Sequence, residues 1–288
     1  MIEVSRLEDM RAWSRAEHAS GRRLGFVATM GALHEGHLRL VDRAREQADV
    51  VAMSIFVNPL QFGPAEDLNR YPRDLERDRQ LAGDRGVAAL FVPEAGAMYP
   101  REPLVRLDPG PMAQSLEGAA RPGHFAAVLT VVTKLFHVVE PDIAIFGRKD
   151  FQQAILVRRM SADLDFPLVV EIAPTVRELE GLALSSRNGY LSADERRSAL
   201  ALSRCLREVE RAWRGGQPDP ARLCARGLEV LTVPGVTPEY LALVDEELKP
   251  VDRVTQTTIA VVAASVGTTR LIDNVVLGEG VSADPTVH

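Results

Sequence analysis

Short unbroken apolar runs alternate with stripes at helical spacing along most of this chain. The run at residues 24–28 gives way to two glycines and two histidines (Met30-Gly31-Ala32-Leu33-His34-Glu35-Gly36-His37), after which Leu38, Val41, Ala44 and Ala48 recur at the period of a helix. Residues 50–57 form a second continuous run, the mark of a strand buried on both faces, so residues 24–57 read as one βαβ unit with a parallel pair. Further strands are predicted at 87–92, 142–146 and 168–172. Helices are predicted at 73–84, at 124–139 and after Asp150. Residues 2–19 read as an amphipathic helix preceding the first strand. Pro93, Pro100, Pro103, Pro109 and Pro111 predict irregular structure or short edge strands in their region.

From Ser192 the rhythm changes. Ser192 and Glu195 stand at capping-box spacing and predict a helix to about Arg214. A second helix at 220–231 precedes strand-like runs at 240–244, 259–266 and 270–276. Helices followed by antiparallel strands suggest a small α+β domain. The expected architecture is therefore α/β, a Rossmann-like parallel sheet over residues 1–174, plus a smaller α+β domain over 175–288 that covers the site. Residues 279–288 are expected to be a loose tail.

The histidine turn carries the first chemistry. A helix starting there directs its unpaired N–H groups and the positive end of its dipole at whatever lies over the turn, which favours phosphate or carboxylate. Gly31 and Gly36 have P-loop spacing, but His37 and Leu38 occupy the places of the lysine and the hydroxyl. The glycines do not fit a dinucleotide fingerprint, and the histidines are three residues apart instead of the four of a zincin. What remains, H-x-G-H between strand and helix, resembles the class I nucleotidyltransferase superfamily, in which such imidazoles stabilise charge on the phosphates.

Other strand ends add candidates. Asn58, Gln61 and Phe62 follow the second strand and should lie beside the histidine turn, since ligands of open parallel sheets sit beyond the carboxyl ends of strands. Residues 63–72 form a polar loop that can cover a site. Gly147-Arg148-Lys149-Asp150 repeats the glycine-then-charge pattern, with Lys149 suited to phosphate oxygens and Asp150 to a helix cap. In the loop at 177–191, Ser185 and Ser186 precede Arg187, a donor set suited to a polyphosphate or a departing pyrophosphate. Taken singly, Lys149 reads as a solvated lysine beside an N-cap aspartate, Ser185-Ser186 as a flexible loop and Asn58-Pro59 as a turn; the convergence of the glycine turns on one sheet edge is what favours a site.

Composition narrows the setting. Over 288 residues, 46% apolar and 26% charged content is that of a globular protein with room for two domains. A net charge of -6 provides no electrostatic footprint for nucleic acid. No run has the length of a membrane span and no export signal opens the chain, so neither a membrane nor a nucleic-acid partner is expected. Cys205 and Cys224 form no disulfide framework, which fits the cytoplasm.

Taken together, Thr29 to His37, Ser54 to Phe62, Arg121 to Phe125, Gly147 to Gln153, Leu184 to Asn188 and Gly267 to Arg270 resemble the pantothenate synthetase (pantoate–β-alanine ligase) family, in order and over nearly the whole chain. The resemblance implies ATP-dependent condensation of (R)-pantoate with β-alanine through a pantoyl adenylate, with Mg²⁺ accompanying ATP and a homodimer as the assembly. Carried over by position, Met30, Gly31, His34, His37, Gly147, Arg148, Lys149, Asp150, Val176, Leu184, Ser185, Ser186 and Arg187 would contact ATP. His37, His34 and Lys149 would carry the catalysis. Gln61, Gln153 and Asn58 would hold pantoate, Gln61 would also meet β-alanine, and Asp150 is the candidate carboxylate for the metal. Ala28, Ala127, Arg148 and Leu184 depart from the usual proline, glycine, glutamate and methionine, and Arg148 is expected to add charge at the phosphate side. The alternatives are another small-molecule adenylyltransferase, which needs a second cationic cluster for a phosphorylated substrate, and a non-catalytic nucleotide-binding protein of the same fold.

Overall fold

The continuous apolar runs become parallel strands covered on both faces. The computed structural model describes residues 1–64 and 66–281. Its first unit, Met1–Gly147 with Gln152–Ala173, runs β1 (Ile2–Val4), α1 (Leu7–Ala19), β2 (Leu24–Thr29), α2 (Glu35–Arg45), β3 (Val50–Ile55), α3 (Leu75–Asp84), β4 (Ala89–Phe91), α4 (Ala95–Met98), α5 (Glu117–Ala120), α6 (His124–Val139), β5 (Ile143–Gly147), α7 (Phe151–Asp163) and β6 (Val169–Ala173). The strands form one sheet in the order β1-β4-β3-β2-β5-β6, every neighbouring pair parallel.

Alternate residues of each strand enter different cores. Phe26, Ala52, Phe91 and Phe146 pack with α6 residues such as Val128 and Leu135 and with Val157 of α7. Val27, Met53, Leu90 and Ile145 pack with Leu40, Val41 and Ala44 of α2 and Ala82 of α3. This is a doubly wound Rossmann-like arrangement. Its topological switch lies between β2 and β5, where ligands of such sheets bind beyond the strand ends. Helix α2 sits close to the sheet, because a Cβ on Gly25 would meet the Cβ atoms of Ala44 and Ala48 at 3.1 and 3.2 Å.

Two expectations need correction here. The segment at 2–19 is not one helix, because Ile2–Val4 adds a strand beside β4 before α1 begins. Pairing satisfies that segment's backbone in a way that helical periodicity does not register. The proline-rich region takes the first of its two expected forms, irregular structure, with α4, α5 and a 3-10 turn at Pro111–Ala113 and no strand among the described residues. Helix α3 starts at Leu75, two residues later than predicted, with the Asp74 side chain capping Arg77 N–H at 3.2 Å.

The second unit contains Arg148–Phe151 and the chain from Pro174 onward. Helices α8 (Ala193–Arg214) and α9 (Pro220–Val230) precede β7 (Val236–Val244), β8 (Ile259–Val266) and β9 (Thr269–Val276), an antiparallel sheet in the order β7-β8-β9. Ser192 and Glu195 form the capping box of α8 in both directions. Ala260, Val262 and Ala264 of β8 pack with Leu202, Leu206 and Val209 of α8. The predicted loose tail is corrected at its start: Glu279 pairs with Arg148, and Val281 N–H donates to Glu210 at 3.3 Å. Residues 282–288 of that prediction lie outside the described residues. Among the described residues no helix is long and apolar enough to cross a membrane.

Candidate active site

Strand β2 ends on Thr29, whose hydroxyl donates to Ser54 O of β3 at 2.7 Å and accepts from Gly31 N–H at 3.2 Å. The turn thus begins tied to the neighbouring strand. Gly31 (φ 81°) and Ala32 (φ 50°) then pass through the left-handed region. A Cβ on Gly31 would approach Asp78 Oδ2 and Ile55 Cγ2 at 3.0 Å each, so both backbone and space demand glycine.

Asp78 of α3 is buried and accepts from Ala32 N–H at 2.8 Å and Leu33 N–H at 2.7 Å, while Arg77 donates to Leu33 O at 3.0 Å. Burial pushes the Asp78 carboxyl above its ordinary pKa, against the two backbone donors and Arg77. With the turn so held, His34 occupies the cap position of α2 in an extended conformation, and its ring stacks on that of His37 at 4.1 Å and 27°. The spacing of three places both imidazoles on one face of the first helical turn, where the N–H groups and the dipole favour anionic oxygen.

Asn58 and Gln61 are brought to this turn, as predicted. Gln61 Nε2 donates to Met30 Sδ at 3.0 Å, and Asn58 Nδ2 donates to Gln61 Oε1 at 3.1 Å. Asn58 is oriented in turn: its Oδ1 accepts from Leu60 N–H and Tyr99 O–H, and its Nδ2 also reaches Ala127 O at 3.4 Å. Burial pushes the Tyr99 phenol up to about 12, which keeps it a donor. The backbone O of Gln61 accepts from His124 Nδ1 at 2.9 Å and Arg121 at 3.4 Å. Arg121 only donates, so His124 Nε2, 2.9 Å from it, accepts, and the imidazole proton sits on Nδ1. Phe62 meets Tyr71 edge-on at 6.0 Å.

The loop at 63–72, of which residue 65 is outside the described residues, is tied down by Glu66. Its carboxylate pairs with Arg121 through two hydrogen bonds. Burial opposes the Glu66 charge, but Arg121, with smaller help from the Gly63 amide, outweighs it and holds the pKa below the ordinary value. A depressed carboxyl pKa contributes stability above the unfolded value of about 4.3 that is lost as pH falls through the folded one. The stability gap between the unaltered protein and Glu66→Gln is therefore expected to shrink as pH drops from about 5 toward 3, in denaturant titrations at each pH. A gap that does not change with pH would reject the ion pair as the loop's anchor.

On α7 two adjacent glutamines have different surroundings. Gln152 is buried, donates to Met112 O and Ser115 O, and accepts from Glu117 N–H. Gln153 is half-buried.

In the second unit, Arg148–Asp150 form a 3-10 turn directly after β5. Lys149 is half-buried with its Nζ 3.8 Å from Asp150 Oδ2, and Asp150 is exposed. Arg148 pairs with Glu279, so its guanidinium is matched by a carboxylate. Val176 O accepts from Leu184 N–H at 3.0 Å, and an Arg177–Ala183 bridge closes the loop. Ser185 caps the short helix Ser186–Tyr190, accepting from Arg187 N–H, while Asn188 Nδ2 holds Ala183 O at 3.0 Å. Among the described residues no group of three His, Cys, Asp or Glu side chains is arranged to hold a metal ion.

Sequence reading missed Asp78, Tyr99 and the Asp273–Asn274 pair, and gave Arg121 and His124 no role. One signal was present: Asp78 stands on the buried side of α3 with Ala82, and an acid in an apolar stripe has something to hold. Asp273 and Asn274 likewise interrupt the apolar run of β9.

Residues 3–276 match the model of a family described as pantoate-beta-alanine ligase. A pantothenate synthetase of Pelotomaculum thermopropionicum is 48% identical over 281 residues, 97% of this chain and 100% of that one. One of Acidobacterium capsulatum is 52% identical over 260 residues, 90% of this chain and 87% of that one. Among solved structures, the Thermus thermophilus pantothenate synthetase superposes with a TM-score of 0.91 at 47% identity, covering 96% of this chain and 99% of that one. The Francisella tularensis pantoate-beta-alanine ligase, complexed with beta-gamma ATP and beta-alanine, superposes with a TM-score of 0.80 at 32% identity, covering 98% and 100%.

Proposed function

This chain belongs to the pantoate-beta-alanine ligase family, and from that membership we propose a role for each element of its site. The reaction joins pantoate to β-alanine at the expense of ATP. A pantoate carboxylate oxygen attacks the α-phosphorus and the bond to the β-phosphate breaks, leaving pantoyl adenylate and pyrophosphate. The β-alanine nitrogen then attacks the acyl carbon, AMP leaves, and the nitrogen loses a proton.

The stacked His34–His37 pair at the start of α2 is the observation that carries this reading. The two imidazoles stabilise charge as it builds on the α-phosphate and the leaving pyrophosphate, a good leaving group that needs little protonation. Met30 and Gly31 bring backbone close to the nucleotide. Gly147, Arg148, Lys149, Asp150, Val176 and Leu184 supply the remaining nucleotide contacts, with Lys149 on the phosphates and Ser185, Ser186 and Arg187 on the pyrophosphate end. Asn58, Gln61 and Gln153 hold pantoate, and Gln61 also meets β-alanine; neutral amides bind hydroxyls and carboxylate with no added charge repulsion.

Mg²⁺ would be held by the triphosphate oxygens and water, with the exposed Asp150 as the nearby carboxylate. It supplies charge neutralisation of the triphosphate. The homodimer and a cytoplasmic location complete the reading, the latter in keeping with the free thiols of Cys205 and Cys224. An adenylyltransferase of phosphorylated substrates is disfavoured, because Asn58 and Gln61 are neutral and Arg121, which donates to Gln61 O, is matched by Glu66.

Incubation with ATP, Mg²⁺, pantoate and β-alanine is expected to give pantothenate, AMP and pyrophosphate. Pantoate alone should drive exchange of labelled pyrophosphate into ATP. Pantothenate formation with no such exchange would sink the adenylate route, and no product at all would sink the assignment.

A further inference from the structure

We propose that Asn274 is a positioning residue for Lys149. It is buried on β9, and its Nδ2 donates to Arg148 O at 2.8 Å and Lys149 O at 3.0 Å. A carboxamide nitrogen has two protons, and here each meets a carbonyl that can only accept, which also fixes which end of the amide faces the turn. The main chain that carries Lys149 is thereby held at two consecutive carbonyls by one side chain from a distant strand.

Asn274 is itself immobilised. Its N–H donates to Asp273 Oδ1 at 2.7 Å, and its carbonyl accepts from Arg177 at 3.0 Å. Arg177 and Asp273 form a buried two-bond ion pair at 2.6 and 2.8 Å, and Arg177 also donates to Gly181 O at 3.1 Å. One hub on β9 therefore fixes both the turn of Lys149 and the base of the loop that leads to Ser185 and Arg187. No other side-chain type does the same at that reach: Asp has no donor, Ser has one, and Gln is a methylene too long.

The inference rests on the reading of Lys149 as a phosphate ligand, and the experiment separates the two. Pyrophosphate exchange and aminolysis of supplied pantoyl adenylate are measured for Lys149→Ala, Asn274→Asp, Asn274→Ser and the double variant Lys149→Ala/Asn274→Ser, with thermal melts of each. Lys149→Ala is expected to depress exchange; if it does not, the reading of Lys149 fails. Given that loss, Asn274→Asp, which sets a carboxylate against two carbonyls, is expected to lower exchange by roughly 10- to 10²-fold, the scale for a displaced binding group. Asn274→Ser should fall between, and aminolysis should fall several-fold less than exchange for both, because pyrophosphate has left by then and only the α-phosphate of the adenylate remains for Lys149 to bind. In the Lys149→Ala background Asn274→Ser should lower exchange no further. Independent, multiplying losses, or equal losses in both steps, would overturn the proposal. Where Asn274→Asp does not fold, the serine variant and its double decide the question by the same criteria.

Discussion

Replacing His37 by alanine is expected to slow pantoate-dependent pyrophosphate exchange by roughly 10²-fold or more, the usual effect of removing one preorganised donor from developing negative charge. The size follows from placement. His37 lies on the first turn of α2, face to face with His34 and above a turn locked by Asp78, so its ring needs no reorganisation when charge appears. It is half-buried and outside the main core clusters, so the melting temperature should hardly move. Stopped-time exchange assays with labelled pyrophosphate measure the rate. A rate within a factor of about three of the unaltered protein would remove the imidazole from the transition state.

The largest effect on stability is expected from Asp273→Ala. Arg177 and Asp273 have side chains only 3% exposed each, so the variant strands a guanidinium in the core. Breaking a buried pair from one side typically destabilises by about 3–5 kcal/mol. The midpoint of urea unfolding at constant slope reads this directly. Removing both charges together, as Arg177→Met with Asp273→Leu, should cost much less, since no unmatched charge remains. A single variant destabilised by less than about 1 kcal/mol would show that water or another anion reaches Arg177.

Much of the fold could be read from the chain because its signals are local. The continuous runs of β2, β3 and β5 and the capping box of α8 each rest on residues a few positions apart, and α6 occupies the predicted span of 124–139. Elements set by distant partners were read less well. Ile2–Val4 is a strand only because β4 lies beside it, and the prolines of 93–111 show where regular structure stops without showing what replaces it. The site divides the same way. Gln61 could be placed near the histidines because it follows a strand end, whereas Tyr99, His124 and Asn274 act through hydrogen bonds to groups far away in sequence. No periodicity records such a bond. Arg148 shows the same limit from the side of charge, since its partner Glu279 lies 131 positions away in the chain.

The anchoring of Ala32 and Leu33 by a carboxylate 46 and 45 positions downstream also bears on the order of folding. A nascent segment ending before α3 can make the β2–α2 connection and its Thr29–Ser54 tie but lacks the carboxylate that holds Ala32 and Leu33, and loop closure over that distance is a non-local event. The histidine turn is therefore completed only after the third helix has docked, and a ribosome-bound fragment cut short of residue 78 would have the histidines without that clamp.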